Sequence, residues 1–251
     1  MEGQGDHDPV RLPKVFEDSA VVAGFSTRHG GVSAAPFGSL NVGLSTGDDA
    51  DAVKANREIL FRSVGLDPER LAVAGQVHGA VVSWVDRPGL YRGVDALVTD
   101  SEGLVLAITA ADCAVVLLAD QERGLVGAVH SGWRGTVAGI VSKAIREMTR
   151  RGAEIDRLSA YVSACISVDS FEVGEEVATQ FADSFVSRRD SWGRPHVDLR
   201  AAIHRQITDS GIHPSRVEVS QECTYDHPDF FSYRAESGAT GRMMGFIAIS
   251  G

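Results

Sequence analysis

The chain has 251 residues, a formal net charge of −10, 43% hydrophobic and 23% charged residues, and three cysteines. That length buries a full core, and that composition excludes a disordered chain or a disulfide-stapled scaffold. The acidic balance argues against a broad nucleic-acid or anionic-membrane face, and no run approaches the roughly 18 apolar residues of a membrane-spanning helix. The opening residues are polar and acidic, without the basic and apolar regions of a signal peptide, so the protein reads as cytoplasmic. Residues 1–14 read as a loose tail and 15–251 as a single domain.

Taken in chain order, a β-branched run predicts a strand at 21–26. Val53, Leu60 and Val64 then share one stripe of a helix over 48–64. Apolar runs bounded by Gly, Asp or Pro predict strands at 81–85, 94–99, 104–109, 114–119 and 125–130. A helix over 136–151 follows, with Val137, Ile140, Val141, Ala144, Ile145 and Met148 on one face and Gly152 closing it. A strand at 160–166 precedes a helix over 173–185, read from Val173, Val177, Phe181 and Phe185. A helix over 199–210 follows, with Asp198 as N-cap, and then a strand at 246–249. The stretch 94–130 runs strand after strand with no room for crossover helices, which excludes a doubly wound parallel sheet. The expected architecture is α+β: largely antiparallel or mixed sheet with helices packed outside.

Reactive side chains fall at the ends of three of these runs: QVHG at 76–79, AADC at 110–113 and HSGWRG at 130–135. His78, Cys113 and His130 form an N,N,S donor set suited to zinc. Their separations exceed those of a zinc finger, so the ligands come from separate strands and leave one position open, as in catalytic sites. The competing reading is a Cys113–His130 nucleophile pair with His78 as a second base. Cys165 and Cys223 read as packing residues. The small residues after His130 and the start of the following helix form a candidate anion site, with Arg134 as a fork donor. Arg28, Arg57, Arg234 and Arg242 flank Gly-rich or polar turns and are further candidates for an anionic ligand. The turn Asn41-Val42-Gly43 reads as a ligand-facing loop.

The motifs STRHGGVS (26–33), LNVG (40–43), QVHG, DALVT (95–99), ADC (111–113), HSGWRG, FEVG (171–174), FSYR (231–234) and TGR (240–242), in this order, resemble the laccase-domain family. This family is also labelled multicopper polyphenol oxidoreductase or purine nucleoside phosphorylase. The resemblance spans roughly 20–250. It implies one zinc per chain on His78, Cys113 and His130, and a fold similar to the cytotoxic necrotizing factor catalytic domain: stacked mixed sheets flanked by helices. It implies phosphorolysis of adenosine, inosine and methylthioadenosine, together with adenosine deamination. Nucleoside and phosphate would be the small-molecule partners. Cys113, His130 and Asp112 are the catalytic candidates, with His29 a further acid/base candidate. Arg28, Asn41, Arg57, Arg134 and Arg234 are the candidates for binding substrate or phosphate. Two rival activities are a Cys/His-dependent amidase editing a peptidoglycan precursor and a copper polyphenol oxidase. The latter fits poorly with eight histidines and no H-x-H pair. The chain departs from the family at 163–167, where SACIS stands in place of a pattern like GPAIG.

Overall fold

The computed structural model describes residues 8–17 and 20–250, and its strands sort into two six-stranded sheets and a two-stranded ribbon. The first sheet runs β1 (Val10–Arg11), β2 (Val21–Ser26), β14 (Met243–Ile249), β7 (Val105–Ala110), β3 (Leu71–Ala74), β5 (Gly89–Tyr91). The second runs β13 (Val217–Val219), β10 (Ser159–Val162), β8 (Ala114–Asp120), β9 (Leu125–Ser131), β6 (Ala96–Thr99), β4 (Val82–Trp84). Both are mixed: the central pairs are antiparallel, while β3 lies parallel to β7 and β5, β4 to β6, and β13 to β10. The helices are α1 (Ala50–Ser63), α2 (Trp133–Val137), α3 (Ile140–Arg150), α4 (Glu175–Ala178) and α5 (Leu199–Asp209). The ribbon is β11 (Val186–Ser187) with β12 (His196–Val197). This is the α+β single domain the strand pattern predicts.

Side-chain alternation assigns the layers. In β8, Val115, Leu117 and Ala119 join Leu106, Ile108, Phe25 and Ile247 between the two sheets. The opposite face, Ala114, Val116 and Leu118, packs with Ile140, Val141, Ala144, Ile145 and Met148 of α3 and Ile203 and Ile207 of α5. Beyond the first sheet, Leu60 and Phe61 of α1 meet Val105, Ala107 and Phe246. Sheets stacked face to face with helices on both outer sides explain why β8 and β9 are buried along their whole length. Gly245 lets the sheets approach each other, since an added Cβ there would stand 2.5 Å from Val115 Cγ1.

Three expected elements take another form. Residues 1–7 of the expected tail lie outside the described residues, but Val10 and Arg11 pair with Ser26 and Phe25 as an edge strand. The helix expected over 136–151 is two helices, broken where Gly139 takes φ +72°. The first of them starts earlier, at Trp133. The helix expected over 173–185 shrinks to α4, because Val173 N–H donates to the Pro195 carbonyl and Gly174 and Ala182 are extended. Its four-residue apolar spacing serves separate short turns rather than one helix face.

Candidate metal centre and cleft

The β8–β9 hairpin builds half of the centre. Its register sets Ala114 opposite Ser131 and Val115 opposite His130, so Cys113, just before β8, arrives beside the end of β9. Gly132 makes the approach possible, since a Cβ there would lie 2.7 Å from Cys113 Sγ. The small residues of HSGWRG therefore serve this crowding, and Gly135 likewise passes close to the Gly79 carbonyl. Ser131 is buried and shares a hydrogen bond with Thr136 (2.9 Å).

The other half is the 76–79 loop. Gln76 clamps it to β7: its amide donates to the Thr109 carbonyl (2.7 Å) and its carbonyl accepts from Thr109 N–H (3.0 Å). His78 then takes the left-handed φ of 57°, uncommon for a side-chain-bearing residue. Fully buried Asp95 holds that turn, accepting from the backbone N–H of Val77 (3.2 Å), His78 (2.9 Å) and Gly79 (2.7 Å). The same carboxylate accepts from His130 Nδ1 (2.8 Å), while His130 N–H donates to the Asp95 carbonyl (2.7 Å). One acidic side chain thus orients both histidines and turns Nε2 of His130 away from itself.

The ligand atoms of His78, Cys113 and His130 all lie within 4.8 Å of one another, and among the described residues no other group of three or more such side chains is gathered. Two imidazoles and a thiolate, one ring held by a carboxylate, are a donor set that fits zinc with a fourth position free. Burial pushes the Cys113 thiol up, but hydrogen bonds with His130 and His78 outweigh it and bring its pKa down to about 6. Burial pushes His130 down, and its bonds to Asp95 and Cys113 more than reverse this, to about 9. Burial also pushes Asp95 upward, while the bonds from His130 and the loop N–H groups hold it below the ordinary carboxylate range.

The three residues floor a cleft of about 820 Å³ between the sheet ends. Its walls include Leu44, Leu90, Ile166, Phe171 and Tyr233, and four arginines: Arg57, Arg92, Arg234 and Arg242. Several expected residues lie elsewhere. Arg28 is held by Glu236 (3.1 Å) and the Gly38 carbonyl, with its guanidinium over Phe231, and is not part of the cleft lining. Arg134 lies over the Trp133 ring, outside the cleft. Asn41 is buried and bonds Thr46, Asp48, Gly43 and the Arg242 backbone, so it braces a loop instead of facing a ligand. Asp112 does line the cleft, and its carboxylate accepts from Thr224 (2.8 Å), Ser232 (2.7 Å) and the Arg234 N–H (2.7 Å). His29 binds Asp229 (2.9 Å), away from the cleft.

Asp95, Gln76 and Arg92 are the residues that sequence reasoning passed over. A lone Asp opening an apolar strand, as in DALVT, was the available signal for the first. At 163–167, Ser163 bonds Val115 N–H (2.9 Å) and Ile166 N–H donates to the Asp112 carbonyl (3.0 Å). The altered segment therefore touches the support of Cys113 and, through Ile166, the cleft wall. Burial raises the Cys165 thiol to about 11, consistent with a packing role.

With this arrangement in view, comparison with known proteins places the chain. Residues 22–250 match the family described as multi-copper polyphenol oxidoreductase laccase, and the chain belongs to that family. Its curated relatives carry a different name. A protein of Streptomyces griseus named purine nucleoside phosphorylase ORF3 is 42% identical over 89% of this chain and 92% of its own. A purine nucleoside phosphorylase of Deinococcus radiodurans is 40% identical over 92% and 90%. Among solved structures, the hypothetical protein YfiH of Bacillus licheniformis superposes with a TM-score of 0.91 at 30% identity, covering 97% of both chains. YlmD of Geobacillus stearothermophilus superposes at 0.90 with 31% identity, covering 99% of this chain and 98% of its own.

Proposed function

We propose that this chain is a cytoplasmic zinc-dependent purine nucleoside phosphorylase acting on adenosine, inosine and methylthioadenosine, with adenosine deaminase activity at the same centre. The observation that carries the reading is the convergence of His78, Cys113 and His130 within 4.8 Å at the floor of a cleft walled by four arginines. The names of the relatives support it. A bound zinc would supply Lewis acidity. Phosphorolysis breaks the bond from ribose C1′ to the purine and forms one from C1′ to a phosphate oxygen, and the purine leaves with a proton. The chain's own residues bind and orient. Arginines hold the phosphate, Phe171 and the exposed Tyr233 offer aromatic faces to a purine, and Asp95 keeps the His130 ring in one tautomer. The family label of a multicopper enzyme calls for several metal sites, whereas the described residues gather one candidate group.

The test is a nucleoside panel with and without phosphate on freshly purified protein. The reading predicts adenine and ribose 1-phosphate from adenosine only when phosphate is present, and inosine from adenosine with or without it. Product ratios indifferent to phosphate contradict the phosphorylase assignment. A second reading, a Cys-dependent amidase, is favoured by the hydrogen-bonded line from Cys113 through His130 to Asp95. It predicts that Cys113→Ser retains metal but loses all activity.

A further inference from the structure

Of the four cleft arginines, Arg57 and Arg242 are the half-buried pair, and among the described residues their guanidiniums bond uncharged groups alone. Arg57 Nε donates to the Val42 carbonyl (2.9 Å), and Arg242 Nη1 donates to the carbonyls of Thr240 (2.9 Å) and Gly241 (2.8 Å). Among the described residues neither forms an ion pair with a carboxylate, in contrast to Arg11, Arg28, Arg151 and Arg188, which pair with Asp229, Glu236, Glu147 and Glu175. Asp112 is the one acid among the residues lining the cleft, and its oxygens are already engaged. Both guanidiniums are half-buried, and burial lowers the pKa of each, to about 10 for Arg57. In a chain of net charge −10, two partly desolvated cations that form no ion pair among the described residues, with Asp112 acting on Arg242 only through space, are a cost that a bound anion would offset.

The backbone is shaped to hold the pair together. The Val42 carbonyl receives Arg57, and Val42 N–H donates to the Arg242 carbonyl (3.2 Å). Arg242 N–H donates in turn to Asn41 Oδ1 (2.9 Å). Gly43 lets the Arg242 side chain cross the loop, since a Cβ there would meet Arg242 Cγ at 2.6 Å. The Arg242 charge is within electrostatic reach of Tyr233, Asp112 and Cys113, and both arginines line the same cleft as the metal centre.

We infer that Arg57 and Arg242, clamped on either side of Val42, form a subsite for a phosphate group, with the unused N–H donors of both forks as its ligands. The inference rests on the phosphorylase reading for its choice of free phosphate as the occupant. The same chemistry would also accept the phosphate ester of a nucleotide.

The experiment titrates inorganic phosphate, adenine and adenosine 5′-monophosphate separately into the wild type, Arg57→Met, Arg242→Met and the surface control Arg188→Ala by calorimetry. Arg57→Lys and Arg242→Lys accompany them, with thermal melts and metal content recorded throughout to reveal any variant that fails to fold. The expected result is weaker binding of inorganic phosphate by about 10- to 150-fold in each Met variant, with partial recovery in the Lys variants. Adenine binding and the control stay unchanged. Weakened binding of the monophosphate alone supports the subsite and assigns it to a nucleotide ester. Folded Met variants that bind both phosphate compounds as the wild type does overturn it. Arginine-dependent phosphate binding by a wild type without phosphorolysis leaves the subsite standing and removes the phosphorylase reading.

Discussion

Asp95 makes more consequential bonds than any other single side chain around the centre. Its carboxylate accepts from three backbone N–H groups of the His78 turn and from the His130 ring. Asp95→Asn substitutes a donor for one acceptor oxygen amid these donors, so at least one bond becomes a clash. Loss of such an outer carboxylate typically costs about 10- to 100-fold in metal affinity. Chelator competition should show that loss, and cobalt substitution should show an altered ligand-field spectrum, a change that general destabilisation alone would not produce. Cys113 offers a second prediction. In metal-free protein its alkylation rate should rise through a midpoint near pH 6, rather than near the thiol's ordinary 9.0, because His130 and His78 stabilise the thiolate. Metal should slow that reaction at every pH, and equal rates with and without metal would remove Cys113 from the ligand set. At this scale the sequence shows which residue types can bind metal, since His78, Cys113 and His130 each close an apolar run. It hides what each polar group already bonds: Arg28, Arg134 and Asn41 look like ligand donors in their motifs, yet Glu236, Trp133 and the 41–48 loop occupy them.

Among the elements, the β8–β9 hairpin and the sheet contact at Gly245 decide whether the centre assembles. Gly132→Ala should leave the metal-free fold near wild-type stability while lowering metal occupancy, because its Cβ would press on Cys113 Sγ. Gly245→Ala should instead act on stability, by about 1–3 kcal/mol, since the clash is with Val115 between the sheets. Denaturant melts and metal analysis on the two variants separate these effects, and a Gly245→Ala protein as stable as wild type would contradict the packing described. Strands β7, β8 and β9 are legible in the sequence because they are long, apolar and buried on both faces. Of the four edge strands, β1, β5 and β13 are two or three residues long and partly exposed and go unread, while the equally short β4 is read from the longer apolar run at 81–85. The register that joins Cys113 to His130 follows from the short turn of the β8–β9 hairpin, which closes at Asp120 and Leu125 with Gly124 at φ +66°, whereas the approach of His78 is set by tertiary contact that no local motif encodes.

For the whole molecule, the centre ties the two sheets' loops together: His78 follows β3 of one sheet, while Cys113 and His130 belong to the hairpin of the other. A metal that binds only this folded arrangement stabilises it by mass action, about 2.7 kcal/mol at one hundred times Kd. For a domain of this size that is roughly 5–10 °C in Tm, and melts with and without chelator should show it. The central claim, a single open metal centre of two histidines and one cysteine, is tested most directly by elemental analysis of protein purified without added metal, in the wild type and in His78→Ala, Cys113→Ser and His130→Ala. The account predicts about one zinc per chain in the wild type and its loss in each variant. Several coppers per chain, or full zinc retained in Cys113→Ser, would contradict it.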